Sequence, residues 1–150
     1  MEIFVYRNGG EEIEEGFEPK DLPKLLADKN NVVWADFDIN NEADRIEADA
    51  ILLNVFNFHP LTIEDARETR NQPKIEAFPN YLFFIVHGVK NETNTANFVT
   101  KELDGYLGSN FLVTYHTEPF RSIDRVKRNI RETIYSCKRG AAFLLHQVFR

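Results

Sequence analysis

The spacing of apolar residues along this chain predicts where its strands lie. Short apolar runs bounded by turn residues are typical of strands, and they occur at 3–6, 32–37, 81–86, 98–107 and 111–115. The run 81–86, Tyr-Leu-Phe-Phe-Ile-Val, has the composition of a strand buried on both faces. We expect the last three strands to be neighbours, with Gly108-Ser109-Asn110 as a hairpin turn that uses a positive φ.

A second spacing, of three and four residues, predicts helices. Asn40 or Asn41 is a candidate N-cap for a helix that is indicated by the recurring apolar residues Ala43, Ile46, Ala50 and Leu53. After Pro119 another helix is predicted, with the stripe Ile123, Val126, Ile130, Ile134 and Cys137. Helices and strands interleave without strict βαβ alternation. This order favours an α/β fold with a mixed sheet and helices packed on it.

The stretch from Phe58 to Val86 combines a helix start, an acidic pair and the strongest strand. His59-Pro60 is expected to begin a short helix, because proline fits the first helical turn. Glu64 and Asp65 are adjacent on this helix and so lie about 100° apart around its axis. At least one of the two carboxylates should therefore face water or a partner, since burying both would leave an unpaired charge.

Length, composition and charge narrow the class of protein. The 150 residues fit a single domain, 1–150, and the chain has neither a secretory signal nor an apolar run long enough to span a membrane, so we expect a soluble polypeptide. The net charge of −6 argues against a nucleic-acid partner. The single cysteine, Cys137, indicates a reducing compartment. The sequence reaches Arg150 inside an apolar helical pattern, which suggests a fragment cut within a helix.

Common catalytic signatures are absent from the sequence: there is no glycine-rich phosphate loop, no GxSxG and no HExxH. Among the histidines, His87 and His116 are the one pair that adjacent strands could bring together. Most carboxylates are typical of solvated faces. An enzyme remains an alternative, as a soluble metal-dependent hydrolase with its acids within a few ångströms of one another; these acids are Asp36, Asp38, Glu64 and Asp65.

Six short segments, in order over most of the chain, resemble the cytoplasmic N-terminal domain of the CorA family of magnesium and divalent-cation transporters. They are Val33-Trp34-Ala35-Asp36, Phe58-His59-Pro60-Leu61, Glu64-Asp65, Gln72-Pro73-Lys74-Ile75-Glu76, Tyr81–Val86 and Asn110–Thr114. The resemblance implies an α/β/α sandwich, a mixed sheet between helices. In the family this domain continues into a stalk helix, two membrane helices and a Gly-Met-Asn signature.

The resemblance also implies a regulatory role rather than an enzymatic one. Family members form pentamers, and Mg2+ between neighbouring cytoplasmic domains holds the pore closed. Asp65 matches the family's sensing aspartate, which faces a carboxylate on the neighbouring subunit's stalk helix, and Glu64 matches the acid of a second, weaker site. Arg150 stands where some members carry another carboxylate.

The expected partners are thus the chain's own stalk and membrane region and the neighbouring subunits of a homopentamer, with no small-molecule substrate. In the full-length protein the domain would lie at the cytoplasmic face of the membrane. The isolated fragment is expected to bind Mg2+ weakly or not at all, because half of the ligands lie outside it. The related zinc-transporting branch shares the domain and is the sibling alternative.

Overall fold

The computed structural model describes residues 1–7, 9–68, 71–89, 100–129 and 138–149. Asn8, Ile130, Ile134, Cys137 and Arg150, together with the start of the predicted strand 98–107, lie outside the described residues. The strands and α-helices are, in chain order, β1 (Glu2–Tyr6), β2 (Ile13–Glu14), α1 (Leu22–Ala27), β3 (Val32–Asp38), α2 (Glu42–Asn54), α3 (Pro60–Arg67), β4 (Lys74–Phe78), β5 (Tyr81–Val89), β6 (Thr100–Gly108), β7 (Phe111–His116), α4 (Arg121–Arg128) and α5 (Ala141–Phe149).

The strands form one seven-stranded sheet in the order β2-β1-β3-β7-β6-β5-β4. β3 and β7 run parallel, and the other adjacent strands are antiparallel. The mixed sheet and the β5-β6-β7 neighbours are as predicted. The edge strand β4 was not predicted. Its sequence, Lys-Ile-Glu-Ala-Phe, carries polar residues on one side and lacks a continuous apolar run of the kind that indicated the other strands.

Alternation along the strands gives each face of the sheet its own core. On β3, Val33, Ala35 and Phe37 pack with residues of α1, α2 and α3, whereas Trp34 packs with residues of α4 and α5. Neighbouring side chains of a strand point to opposite faces, so one apolar strand supplies both cores. The result is the predicted sandwich of a mixed sheet between two helical layers.

α2 forms where the spacing predicted a helix, but the apolar residues that indicated it are not the buried ones. Asn41 caps the helix as expected, with its Oδ1 accepting a hydrogen bond from the Asp44 backbone N–H at 2.8 Å. The buried residues, however, are Ala48, Ile51 and Leu52, while Ala43, Ile46, Ala50 and Leu53 are exposed. The two stripes have the same three- and four-residue spacing, so periodicity could not decide which of them meets the sheet.

A tight turn joins β6 and β7 as predicted, and Gly108 is the last residue of β6 before it, but glycine is needed there for a different physical reason. Its φ is not in the positive range that the prediction invoked. Instead, the Phe111 ring occupies the position that a Cβ at residue 108 would take. The glycine is required for space rather than for backbone freedom.

The start of α3 is fixed to the sheet by hydrogen bonds. His59 is the N-cap, and its Nδ1 accepts from the Leu61 N–H at 3.1 Å. The hydroxyl of Tyr81, the first residue of β5, accepts from the His59 N–H at 2.8 Å. One turn further along, Thr62 Oγ1 accepts from the Tyr106 hydroxyl of β6 at 3.2 Å. These bonds set the rotation of α3 about its axis, and hence the directions of its acidic side chains.

Candidate functional site

The two predicted metal residues on α3 have different surroundings. Thr62, Ile63 and Ala66 are buried against the sheet. Glu64 is exposed, whereas Asp65 lies at the border of the helix–sheet interface with 28% of its side chain exposed. Glu64 therefore meets the expectation that at least one of the pair faces water. Asp65 was expected to point outward, and it does so only in part.

A lysine of β4 pairs with Asp65. Lys74 Nζ lies 2.6 Å from Asp65 Oδ2 and 2.6 Å from Glu76 Oε1, so one ammonium group bridges two carboxylates. The hydrogen bonds to Asp65 and then to Glu76 raise the pKa of Lys74 above its ordinary value. A positive charge thus already lies at the Asp65 carboxylate, supplied by the chain itself.

The turn that follows α3 is held by Asn71. Its Nδ2 donates to the Asp65 carbonyl at 2.7 Å and to the Glu68 carbonyl at 2.9 Å, which satisfies two carbonyls at the end of the helix. Its backbone N–H donates to Glu102 Oε1 at 2.9 Å. These bonds hold the backbone at Asp65 against β6, so the carboxylate has a defined place above the sheet.

A buried acid lies on the sheet surface below α3. Asp104 of β6 is 2% exposed, and its Oδ1 has no hydrogen-bond partner among the described residues. Burial, followed by the hydrogen bond and the charge of Glu102 and then the charge of Asp65, raises the pKa of Asp104 to about 10. The Asp104 carboxyl is therefore protonated at neutral pH. A neutral acid here adds no further negative charge to the Asp65 site.

Asp36, one of the acids of the hydrolase alternative, belongs to a buried ionic cluster on the other face of the sheet. It lies 2.9 Å from His116 Nε2 and 2.5 Å from Lys127 Nζ, and it accepts from Thr114 Oγ1 at 2.6 Å. Burial alone would raise the pKa of Asp36, but the hydrogen bond to His116 and the charges of His116 and Lys127 outweigh burial and lower it. This carboxylate is ionised and fully paired.

The four acids of the hydrolase alternative do not converge. Asp36 faces α4 and α5, whereas Asp65 lies on the face covered by α2 and α3, with the sheet between them. Across the described ranges, no group of three or more His, Cys, Asp or Glu side chains could hold a metal ion. The pairing of His87 with His116 is wrong too, because β6 separates their strands and the two side chains point to opposite faces.

Sequence reasoning missed Lys74, Glu76 and Asp104 as parts of the Asp65 site. In the sequence, Lys74 and Glu76 stand out only as part of a segment that resembles the CorA family. Their two-residue spacing was the available signal, since it places both side chains on one face of a strand. Asp104 gave no signal, because an aspartate in a strand of mixed polar and apolar residues can face water as well as the core. Its burial is decided by the tertiary packing on this face of the sheet.

No helix in the described part of the chain is both long enough and apolar enough to cross a membrane. The model of the CorA-like Mg2+ transporter protein family matches residues 29–150. Over 129 residues the chain is 26% identical to the putative metal ion transporter YfjQ of Bacillus subtilis, covering 86% of this chain and 39% of that protein. It is 24% identical to the cobalt/magnesium transport protein CorA of Thermotoga maritima, covering 87% of this chain and 37% of the relative.

The fold is shared with solved soluble domains. The soluble domain of CorA from Methanocaldococcus jannaschii matches with a TM-score of 0.65 at 17% identity, over 97% of this chain and 53% of that one. The ZntB cytoplasmic domain from Vibrio parahaemolyticus matches with a TM-score of 0.66 at 12% identity, over 99% of this chain and 55% of that one. The chain spans less than half the length of the curated relatives described above. Because the family model covers most of its residues, the chain belongs to the CorA-like Mg2+ transporter family.

Proposed function

We propose that this domain is the cytoplasmic metal sensor of a pentameric, CorA-type magnesium channel. In this proposal, Mg2+ bound at Asp65 between neighbouring subunits holds the pore closed, and Glu64 contributes to a second, weaker site. The longer protein supplies the stalk and membrane helices. The observation that carries the proposal is the position of Asp65, a partly exposed carboxylate on a helix fixed to the sheet, with a cation already at hydrogen-bond distance.

The chemistry of this position suits Mg2+. The ion keeps several of its waters and is held by one or two protein carboxylates, so it does not require a cage built from one chain. An ion at Asp65 would complete its shell with water and with donors from a neighbouring subunit. Its charge would offset the repulsion between acids of two chains, and removing the ion would loosen their interface. We therefore expect the isolated 150-residue chain to bind Mg2+ only weakly.

The zinc-transporting alternative is less well supported by the donor atoms. Zn2+ sites in proteins draw on cysteine sulfur and histidine nitrogen, whereas carboxylate oxygen suits Mg2+. The groups around Asp65 Oδ2 are a lysine and a second carboxylate. The likeness to the ZntB domain concerns the fold alone and does not favour either ion. Flux measurements with Mg2+ and Zn2+ on the longer protein would separate the two.

The test of the proposal is Mg2+ inhibition of flux through the longer protein in liposomes. Asp65→Asn keeps the shape of the side chain and removes its charge, and we expect it to raise the Mg2+ concentration for half-closure about tenfold, which corresponds to about 1.4 kcal/mol. Glu64→Gln should have a smaller effect in the same direction. Asp28→Asn, at an exposed position before β3, is the matched control and should change nothing. Unchanged Mg2+ inhibition in Asp65→Asn would remove this residue from the mechanism.

A further inference from the structure

The segment Pro73-Lys74-Ile75-Glu76 has no assigned role in the proposed function. It enters β4, the edge strand of the sheet, whose alternation places Lys74 and Glu76 on the α3 face and leaves Ile75 74% exposed on the other. Strand geometry thus presents a lysine and a glutamate side by side toward Asp65.

The Lys74 ammonium lies where a cation shared by two carboxylates would lie. Asp65 Oδ2 and Glu76 Oε1 are each 2.6 Å from Lys74 Nζ. The three side chains are 28%, 44% and 37% exposed, respectively, so an ion can reach this position from solvent. Lysine carries a compact charge on a flexible stem of four carbons, so its ammonium can move aside without displacing the backbone.

A row of side chains on the same face of the sheet runs from Lys74 to the buried acid Asp104. Lys74 pairs with Ile85 of β5, and Ile85 pairs with Asp104 of β6, so the three residues lie in register on the α3 face. Asp104 is 2% exposed with an unpartnered Oδ1 among the described residues, and its carboxyl interacts electrostatically with both Asp65 and Lys74. Asp104 therefore lies on the same face of the sheet, within electrostatic range of Asp65 and Lys74, and its Oδ1 makes no hydrogen bond within the described part of the chain.

We propose that Asp65 and Glu76 together form this chain's cation position, and that the Lys74 ammonium is a built-in competitor that a divalent cation displaces. The inference rests on the proposed function, because it concerns the regulation of the same site. Lys74 sets the affinity: the two carboxylates would attract Mg2+ more strongly without the lysine than with it, and with it they bind Mg2+ only when the ion is plentiful. Glu76 is the second carboxylate that the Mg2+ chemistry allows.

The experiment is a Mg2+ titration of the 150-residue chain, followed by backbone amide NMR. Lys74→Met keeps the apolar stem and removes the charge, and we expect it to lower the Mg2+ dissociation constant about tenfold, with the largest shifts at Asp65 and Glu76. Lys74→Arg keeps a cation and should bind like the unchanged chain. Lys20→Met removes the lysine of another acid–lysine pair, 3.0 Å from Glu18, and should leave the dissociation constant unchanged.

Two further variants make the result decisive. Glu76→Gln in the Lys74→Met background should reverse the gain in affinity, and Asp65→Asn in that background should abolish it. Equal affinity in Lys74→Met and the unchanged chain, with both spectra well dispersed, would overturn the inference. A gain that survives Glu76→Gln would remove Glu76 as a ligand.

The two proposals fail separately. Suppose that Lys74→Met binds Mg2+ no better while Asp65→Asn relieves Mg2+ inhibition of flux. Then Lys74 does not compete with Mg2+, but the proposed role of Asp65 in sensing Mg2+ is supported. If Lys74→Met binds tighter while flux ignores Asp65→Asn, the cation position exists but does not regulate the pore.

Discussion

Two buried aspartates, one on each face of the sheet, differ in charge: one is an ionised carboxylate and the other is a neutral carboxylic acid. Asp36 of β3 is 1% exposed and Asp104 of β6 is 2% exposed. Asp36 has the His116 imidazole and the Lys127 ammonium at hydrogen-bond distance. Asp104 has the acid Glu102 as its hydrogen-bonding neighbour. The pKa is accordingly lowered at Asp36 and raised at Asp104.

The difference shows that the neighbours, rather than burial alone, decide what a buried acid does. The Asp36 cluster joins β3, β7 and α4 by charged hydrogen bonds, and Lys127 also reaches Glu2 of β1 at 2.8 Å. It acts as an anchor for α4. Asp104 instead supplies a neutral floor below α3, where an ionised acid would repel Asp65. Removing each acid should therefore have opposite effects on stability.

The largest effect is expected from Asp36→Ala. The substitution leaves the buried His116 imidazole and the half-buried Lys127 ammonium without their shared partner, and we expect it to lower the free energy of unfolding by about 3 kcal/mol. Urea unfolding at pH 7 measures the loss. Asp38→Ala is the matched control, because Asp38 lies on the same strand, is 52% exposed, and lies 3.7 Å from His116 Nδ1; it should cost less than about 1 kcal/mol. Equal losses of unfolding free energy in the two variants would contradict the role of the Asp36 cluster in anchoring α4.

A gain in stability is expected from Asp104→Asn. An acid whose folded pKa is raised loses stability as pH rises above its ordinary value of about 3.9, up to its folded pKa, and asparagine does not titrate. The amide can still donate a hydrogen bond to Glu102. We expect a gain near zero at pH 4 that grows to roughly 2 kcal/mol at pH 7. Thermal unfolding at several pH values checks the trend, and a gain that does not depend on pH would show that Asp104 is not the titrating group.

The smallest effect is a pH dependence from His116. Burial would lower its pKa, but the hydrogen bond and charge of Asp36, with the charge of Asp38, outweigh burial and raise it above the ordinary value of about 6.5. A raised histidine pKa contributes stability that is complete below pH 6.5 and is lost as pH rises through the folded pKa. We expect a loss of about 1 kcal/mol above that window, reduced in His116→Gln.

The imidazole proton signals of His116 give a direct reading of that titration. Their midpoint should lie above 6.5 in the unchanged chain and fall in Asp36→Asn, in which the neighbouring negative charge is removed. A midpoint that is the same in both chains would show that Asp36 does not hold the proton on His116. The contrast between Asp36 and Asp104 could then not be attributed to a charge interaction between Asp36 and His116.

Most of the fold could be predicted from the sequence, because it depends on local patterns. The apolar run at 81–86, the His59-Pro60 helix start and the Asn41 cap each specify a structure through neighbours a few residues away. The segments that resemble the CorA family added two expectations: the α/β/α sandwich and Asp65 as a metal-site residue. The α2 stripe could not be chosen this way, since both faces of that helix carry apolar residues at helical spacing.

The sequence alone therefore determined the mixed α/β sandwich, its strongest elements and the acidic pair Glu64-Asp65. Only the tertiary structure decided the surroundings of each acid: Lys74 against Asp65, Asp104 below α3, and Asp36 between His116 and Lys127. The physical reason is that secondary structure follows from spacing within one segment. The charge state of a carboxyl depends instead on burial and on partners that are brought from distant segments.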